Sequence, residues 1–526
     1  MNTYLTERQK SWLTLVSLWL LLLLLAALRP LAVPDEGRYG EIGRWMLFSG
    51  DWLTPRLNGL PFFHKPPYVY WLEAMSLATF GVNAWALRLV PALHAGLMLL
   101  VLYLSARHLS SETTARRAVL MLGTSLTFLV GGQYVNHDMA VATWIGVAIW
   151  CFALAFMAGD KPHAWLARLG FIACALGVLS KGLIGLALPG LVILVWLLWT
   201  RQLKKILYLP WLSGLALFAL IAMPWFIVAQ QKYPELFNYM VIGQQLNRYT
   251  ASTYNNPQPF WFYLLALVLL FFPWVFFALG QWRRSTRLPA RAAELLTLDG
   301  WRLCWVWIGA IFIFFSIPNS KLVGYILPVM PALALLAALG WGRVMAHRAH
   351  AGRIFVGLCL LNIGIALAIV TLVGGVTRTG RAQDVAAVLA CQARLSDTIY
   401  ASGAFPYDLP FYVQTHKPLV MLEDWPALRI NTGDGWQREL FEGADFDPQA
   451  AQVLQPRSVL APAGLVAGNW FVVRPHHDIA KGLPGWTLYY QGAGWLLYQS
   501  AQPLAAKSPV PTEQKGLPGC KDQGRQ

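Results

Sequence analysis

The stretch Val33-Pro34-Asp35-Glu36-Gly37-Arg38-Tyr39-Gly40-Glu41 begins where the first long apolar run of the chain ends. It sets two adjacent carboxylates, with Arg38 and Arg44 close behind, at the edge of hydrocarbon, where a low dielectric strengthens each electrostatic contact. Charge so placed points to a site. Upstream, Trp12 to Leu31 is a mostly apolar run of about 20 residues, near 30 Å as a helix. That length crosses a bilayer, whereas a signal-peptide core is about half as long. The segment reads as a retained first helix.

The rest of the composition agrees. Of 526 residues 57% are hydrophobic and 13% charged, which points to a polytopic membrane protein rather than a string of soluble domains. The net charge of +16 does not indicate nucleic acid, because Lys and Arg fall between apolar runs and form no basic face. Positive-inside topology accounts for them.

Further spans are predicted near 84–106, 117–133, 139–158, 164–180, 183–200, 207–229, 259–281, 302–317, 321–341 and 353–375, about eleven helices in all. Threading them puts Arg107, Arg116, Lys161, Arg201, Arg284 and Arg343 on one side, the cytoplasm, together with the amino terminus. The segments 33–82, 131–138, 230–258, 317–321 and everything after about 376 then face outward. The expected organisation is a transmembrane catalytic domain over 1–376, with interfacial helices at 35–82 and an external loop at 232–258. A small external α/β domain over 377–501, with strand-like runs at 398–401, 418–422, 470–473 and 495–498, and a disordered tail over 502–526 follow. Cys151, Cys174, Cys304 and Cys359 lie in apolar runs as packing residues. Cys391 and Cys520 lie in the terminal region, and spacing alone leaves their pairing open.

Several constellations carry chemistry. Asp35 and Glu36 are joined by Asp138, in Tyr134-Val135-Asn136-His137-Asp138-Met139, at the external end of another span. A charge at a helix centre in the membrane costs about 2.5–3.5 kcal/mol on insertion scales, so several on one face imply pairing or a watered cavity. In Phe62-Phe63-His64-Lys65-Pro66-Pro67, Lys65 either snorkels to headgroups or serves a phosphate as a point charge. His64 is a candidate substrate contact, and a metal ligand only with partners among Asp35, Glu36 or Asp138. Ser180-Lys181-Gly182 forms a short polar turn between two spans. Lys321 and Tyr325, in Asn319-Ser320-Lys321-Leu322-Val323-Gly324-Tyr325, fall at i and i+4 on one helical face. With Arg248, these cations suit an anionic headgroup. No Walker loop, GxGxxG or GxSxG is present, which argues against a soluble nucleotide donor.

At these residues the chain resembles the membrane-embedded GT-C glycosyltransferases of the protein O-mannosyltransferase clan, in particular the bacterial aminoarabinose transferases that modify lipid A. The resemblance runs in order over roughly residues 30–335. It is carried by Pro34-Asp35-Glu36-x-Arg38-Tyr39-x-Glu41-Ile42, Ser49-Gly50-Asp51-Trp52, Lys65-Pro66, Tyr70-Trp71, Asp138, Lys181-Gly182, Pro224-Trp225, Pro259-Phe260-Trp261 and Lys321-Leu322 with Tyr325-Ile326-Leu327-Pro328. Residues 376–526 carry no such match.

The resemblance implies a polyprenyl (undecaprenyl) phosphate sugar as donor, and lipid A or another envelope glycolipid as acceptor, at the outer face of a bacterial inner membrane. It makes Asp35, with Glu36 beside it, the catalytic carboxylate and Asp138 a second functional acid. Arg38, His64, Lys65, Lys181, Arg248, Lys321 and Tyr325 become substrate-binding candidates. Two departures stand out. His64 replaces the family's usual Glu and Asn256 its usual His, both implicated in metal binding, which leaves a divalent metal and the identity of the sugar open. A protein O-glycosyltransferase is the alternative reading, and a transporter or lipid flippase a third.

Overall fold

The computed structural model describes residues 5–247, 256–282, 297–345, 347–431, 433–501 and 517–520. Ten α-helices occupy the chain to Lys232: α1 (Glu7–Ala27), α2 (Asp35–Ser49), α3 (Tyr68–Phe80), α4 (Ala84–Leu109), α5 (Glu112–Gly123), α6 (Leu126–Gly131), α7 (Asp138–Met157), α8 (Ala164–Lys181), α9 (Ile184–Trp199) and α10 (Trp211–Lys232). The first is opened by a capping box, in which Thr6 Oγ1 accepts from Gln9 N and the Gln9 side chain accepts from Thr6 N.

Eight helices among the described residues are long and apolar enough to cross a membrane: α1, α4, α7, α8, α10, Leu298–Ser316, Val323–Met345 and Ala351–Leu372. The other three predicted spans are shorter or divided, for local reasons. Ser125 caps a fresh start, its hydroxyl accepting from Phe128 N at 3.4 Å, so 117–133 is split between α5 and α6. Pro273 has no N–H to continue a helix, so 259–281 yields Phe262–Leu270 and Trp274–Leu279. Gly182, at φ +88°, ends α8 and leaves α9 with 16 residues.

The chain divides into two compact units. The first comprises Met1–Leu28, His64–Val69 and Arg88–Val370. Its centre is the α7–α8 hairpin. Around it the buried Trp150 and Trp307 rings meet edge to face at 5.2 Å, and Trp307 Nε1 donates to Pro328 O at 2.8 Å. The stretches 256–258 and 317–321 pair with one another: Gln258 N donates to Asn319 O at 2.9 Å, and Lys321 N to Asn256 O at 3.1 Å.

The second unit comprises Arg29–Phe63, Tyr70–Leu87 and Thr371–Gln526. A six-stranded mixed sheet runs β5-β4-β3-β6-β8-β7, where β3 is Thr398–Ser402, β4 Val420–Leu422, β5 Leu454–Gln455, β6 Asn469–Val473, β7 Trp486–Gln491 and β8 Leu496–Ser500. The pairings of β3 with β4 and β6, and of β4 with β5, are parallel, while β8 lies antiparallel to β6 and β7. Cys391 and Cys520 form a disulfide across 129 residues of sequence.

Most of the segment expected as interfacial helices, 35–63 and 70–82, belongs to this unit. Ile42 and Met46 of α2, Tyr70 and Ala74 of α3, and Leu57 and Leu60 of a small hairpin (β1, Arg56–Leu57; β2, Leu60–Pro61) share one core with Ala401, Met421, Val472 and Leu497 of the sheet. Glycine makes the close approach: a Cβ on Gly37 would stand 2.9 Å from the backbone of Tyr407 and Asp408.

Candidate active site

In the first unit the α7–α8 hairpin builds a carboxylate–ammonium pair. Asp138 starts α7, and Lys181 ends α8. A chain that runs out along one helix and back along a second of similar length returns its last residue beside its first. Each charge suits its helix end: an acid at an amino terminus, a base at a carboxyl terminus. Lys181 Nζ pairs with Asp138 Oδ1, and only 11% and 9% of these side chains are exposed.

Neighbours fix both groups. Asn136 Oδ1 accepts from Asp138 N at 2.9 Å, and Asn136 Nδ2 donates to Asp138 Oδ2 at 3.1 Å. The Lys181 ammonium stands 4.3 Å from the centroid of the Tyr325 ring, a cation–π contact. Gly324 leaves room for the carboxylate, since a Cβ there would lie 2.0 Å from Asp138 Oδ2.

Lys321 takes a different part. It lies ahead of the 3₁₀ helix Val323–Val329, not on one helical face with Tyr325, and its ammonium donates to Gln258 O at 2.9 Å and Pro318 O at 2.5 Å. It holds the 256–258 and 317–321 segments together. His64 is half-buried, its ring 6.0 Å from that of Tyr239, and Lys65 is likewise half-buried. Arg248 lies outside the described residues. No group of three or more His, Cys, Asp or Glu side chains among the described residues is placed to hold a metal ion.

The second unit carries the other carboxylates, on α2. Asp35 and Glu36 occupy its first turn, favourably placed on the helix dipole, yet their surroundings differ sharply. Glu36 is wholly buried. Both its oxygens accept from Arg29, at 2.5 and 3.0 Å, and Oε2 also accepts from Ala32 N at 2.7 Å. A carboxylate so enclosed secures the turn. Asp35 keeps 34% of its side chain exposed and pairs with Arg38 one turn on, whose other terminal nitrogen pairs with Glu439. Tyr407 completes the group, donating its hydroxyl to Glu439 Oε2 at 2.8 Å, with the Arg38 guanidinium 5.4 Å from its ring centroid.

Burial is the largest single influence and works against the Arg38 charge, but Glu439, Tyr39, Tyr407 and Asp35 together outweigh it, and the guanidinium is held well above its usual value. Burial, and next the Glu439 charge, push the Tyr407 hydroxyl well up, so it donates rather than ionises. Further along α2, Arg44 grips Glu41 with two 2.7 Å bonds, and burial nonetheless raises the Glu41 carboxyl.

Sequence reasoning missed Glu439 and Tyr407, because they lie in the region without any motif. Asn136 and Gly324 stood inside quoted stretches and had no signal of their own. Arg29 was the legible omission: a lone base just before two acids at a membrane edge asks for a partner among them.

The family described as dolichyl-phosphate-mannose-protein mannosyltransferase matches residues 11–240. Undecaprenyl phosphate-alpha-4-amino-4-deoxy-L-arabinose arabinosyl transferase 2 of Pseudomonas fluorescens is 34% identical over 367 residues, 67% of this chain and 63% of that protein. The corresponding transferase of Pseudomonas savastanoi pv. phaseolicola is 32% identical, over 64% of this chain and 65% of that protein. The chain thus spans a little under two thirds of the length of these curated relatives. Among solved structures, ArnT from Cupriavidus metallidurans bound to undecaprenyl phosphate superposes with a TM-score of 0.79 at 25% identity, covering 94% of this chain and 99% of that one.

Proposed function

We propose that this chain, a multi-span membrane protein of the GT-C class close to the aminoarabinose transferases, transfers a sugar from an undecaprenyl-type phosphate to lipid A or a related envelope glycolipid. The likeness to a structure that holds undecaprenyl phosphate, over nearly its whole length, is the observation that carries the reading. In the reaction an acceptor oxygen attacks the anomeric carbon of the sugar. The bond from that carbon to the phosphate oxygen breaks, and the polyprenyl phosphate leaves with the electron pair.

The leaving group gains negative charge, so preorganised cations contribute most where that charge develops. We assign Lys181, poised on Tyr325 and oriented by Asp138, to the donor phosphate, with Lys65 and Arg248 as further cations. Lys321 positions the loops around them. Asp35, the carboxylate of α2 left partly exposed, takes the acceptor. It is a general base for a hydroxyl, and for a phosphate acceptor, which needs no deprotonation, it orients Arg38. Glu36 is structural in this assignment. With His64 and Asn256 where the family has its metal ligands, the described residues supply no group of three or more His, Cys, Asp or Glu side chains for a metal.

The same reading places the amino terminus in the cytoplasm and residues 377–501 in the periplasm of a bacterial inner membrane. The Cys391–Cys520 disulfide suits that oxidising compartment. The test is mass spectrometry of lipid A and envelope glycans from cells with and without the protein, beside an Asp35→Asn variant. A pentose- or hexose-sized mass increment on lipid A that is lost in the variant is expected. An increment found only on proteins, or an Asp35→Asn variant as active as the parent, overturns the assignment.

A further inference from the structure

Apart from the carboxylate groups, the second unit encloses a cavity of about 340 Å³ whose walls include Val82, Asn83, Arg378, Arg381, Asp384 and Phe411. Its depth follows from the sequence. Asn83 directly precedes the span that begins at Ala84, and Arg378 follows within two turns of the span that ends at Leu372. Two walls of the cavity are therefore formed where the chain meets the bilayer, at the level of the headgroups.

The chemistry is that of an amphiphilic anion site. Arg378 is exposed, and its guanidinium has no ion pair or hydrogen bond among the described residues. Arg381, 8% exposed, stands one turn further on. Asp384 turns its oxygens to backbone amides, accepting from Val385 N at 2.8 Å and Ala493 N at 2.7 Å, and the Arg381 charge is felt by the buried Asp408 carboxyl, so Arg378 is the more available cation of the two. Guanidinium forks match phosphate oxygens, and Val82 and Phe411 offer apolar surface beside them.

The turn that presents the arginines is held in advance of any ligand. Arg474 donates to Thr379 O at 2.5 Å and Gly380 O at 3.0 Å, while its guanidinium lies 4.0 Å from the Trp495 ring centroid. The Cys391–Cys520 disulfide ties the helix Gln383–Gln392 to the segment carrying Gly519, another wall residue. Such preorganisation lowers the entropic cost of binding.

We propose that this cavity is a binding site for the phosphate headgroup of an anionic membrane phospholipid, held by Arg378 and Arg381 with its acyl chains left in the bilayer. The site is separate from the residues assigned to transfer and does not depend on that assignment.

The test uses the purified full-length protein in neutral detergent, titrated with phosphatidylglycerol, phosphatidylcholine or inorganic phosphate, reading thermal stability and bound lipid by native mass spectrometry. Phosphatidylglycerol is expected to bind and raise Tm, the other two to leave Tm unchanged. Arg378→Glu, which places an acid at an exposed position, and Ala387→Trp, which fills the cavity, should each weaken phosphatidylglycerol binding at least tenfold. Lys481→Glu, an exposed charge change elsewhere in the unit, should not. Far-ultraviolet circular dichroism and gel filtration identify folded variants, and either variant suffices. The proposal falls if phosphatidylglycerol does not bind, if folded variants bind it as the parent does, or if phosphatidylcholine or inorganic phosphate stabilises equally well.

Discussion

Glu73 on α3 is wholly buried, and neither of its carboxyl oxygens has a hydrogen-bond partner among the described residues. It lies against the backbone of α2, where a Cβ on Gly43 would stand 3.1 Å from Glu73 Oε2. Burial alone raises this carboxyl well above its usual range, so the native protein keeps the proton to a higher pH than the unfolded chain does. An unfolded chain releases it above about pH 4.3. Below that value both states are protonated and Glu73 is neutral towards stability. Above it the unfolded state sheds a proton that the native state keeps, and stability falls by about 1.4 kcal/mol for each pH unit until the native group itself ionises. Over any two pH units in which the native carboxyl stays protonated, the loss amounts to about 2.7 kcal/mol on that slope.

Glu73→Gln keeps the shape and removes the titration. It should unfold at nearly the parent temperature at pH 5. By pH 8 it should gain about 5 °C or more, since a kcal/mol moves Tm by about 2–4 °C in a domain of roughly 150–250 residues. Differential scanning fluorimetry of parent and variant from pH 5 to 8 reads this directly. Parallel profiles, with no widening gap as pH rises, would refute the claim that this carboxyl is neutral in the folded protein.

Three other outcomes are expected. Arg29→Ala leaves Glu36 buried without its cation, and breaking such a pair costs about 3–5 kcal/mol, so membrane levels of the variant should drop sharply. Gly324→Ala puts a methyl group into the Asp138 carboxylate; the chain should still reach the membrane, and the proposed sugar transfer, read on envelope glycolipids in cells, should fall about 100-fold. Cys391→Ser with Cys520→Ser removes a crosslink spanning 129 residues and should lower stability by about 2–5 kcal/mol, a loss that reductant reproduces in the parent and not in the variant.

Residues taken singly decided much about this protein. Apolar runs of 18 residues and more fixed a multi-span membrane protein, because a chain in hydrocarbon must satisfy its backbone within helices. The alternation of β-rich runs at 398–401, 418–422, 470–473 and 495–498 announced β3, β4, β6 and β8. It could not announce β7, an edge strand with most of its side chains exposed, nor β5, two residues long. Asp138 and Lys181 were each visible as charge at a span end, and the length of the α7–α8 hairpin is what joined them.

What only tertiary packing decided is which charges are enclosed. Asp35 and Glu36 are adjacent and chemically alike, yet Arg29 and the Ala32 amide seal one while the other stays partly open. Lys321 reads as a phosphate cation until Gln258 and Pro318 carbonyls claim it. The partners that make these distinctions lie up to about 400 residues away, as Glu439 does from Arg38. Pairing at such distance follows from the folded path of the chain, and local sequence carries no trace of it.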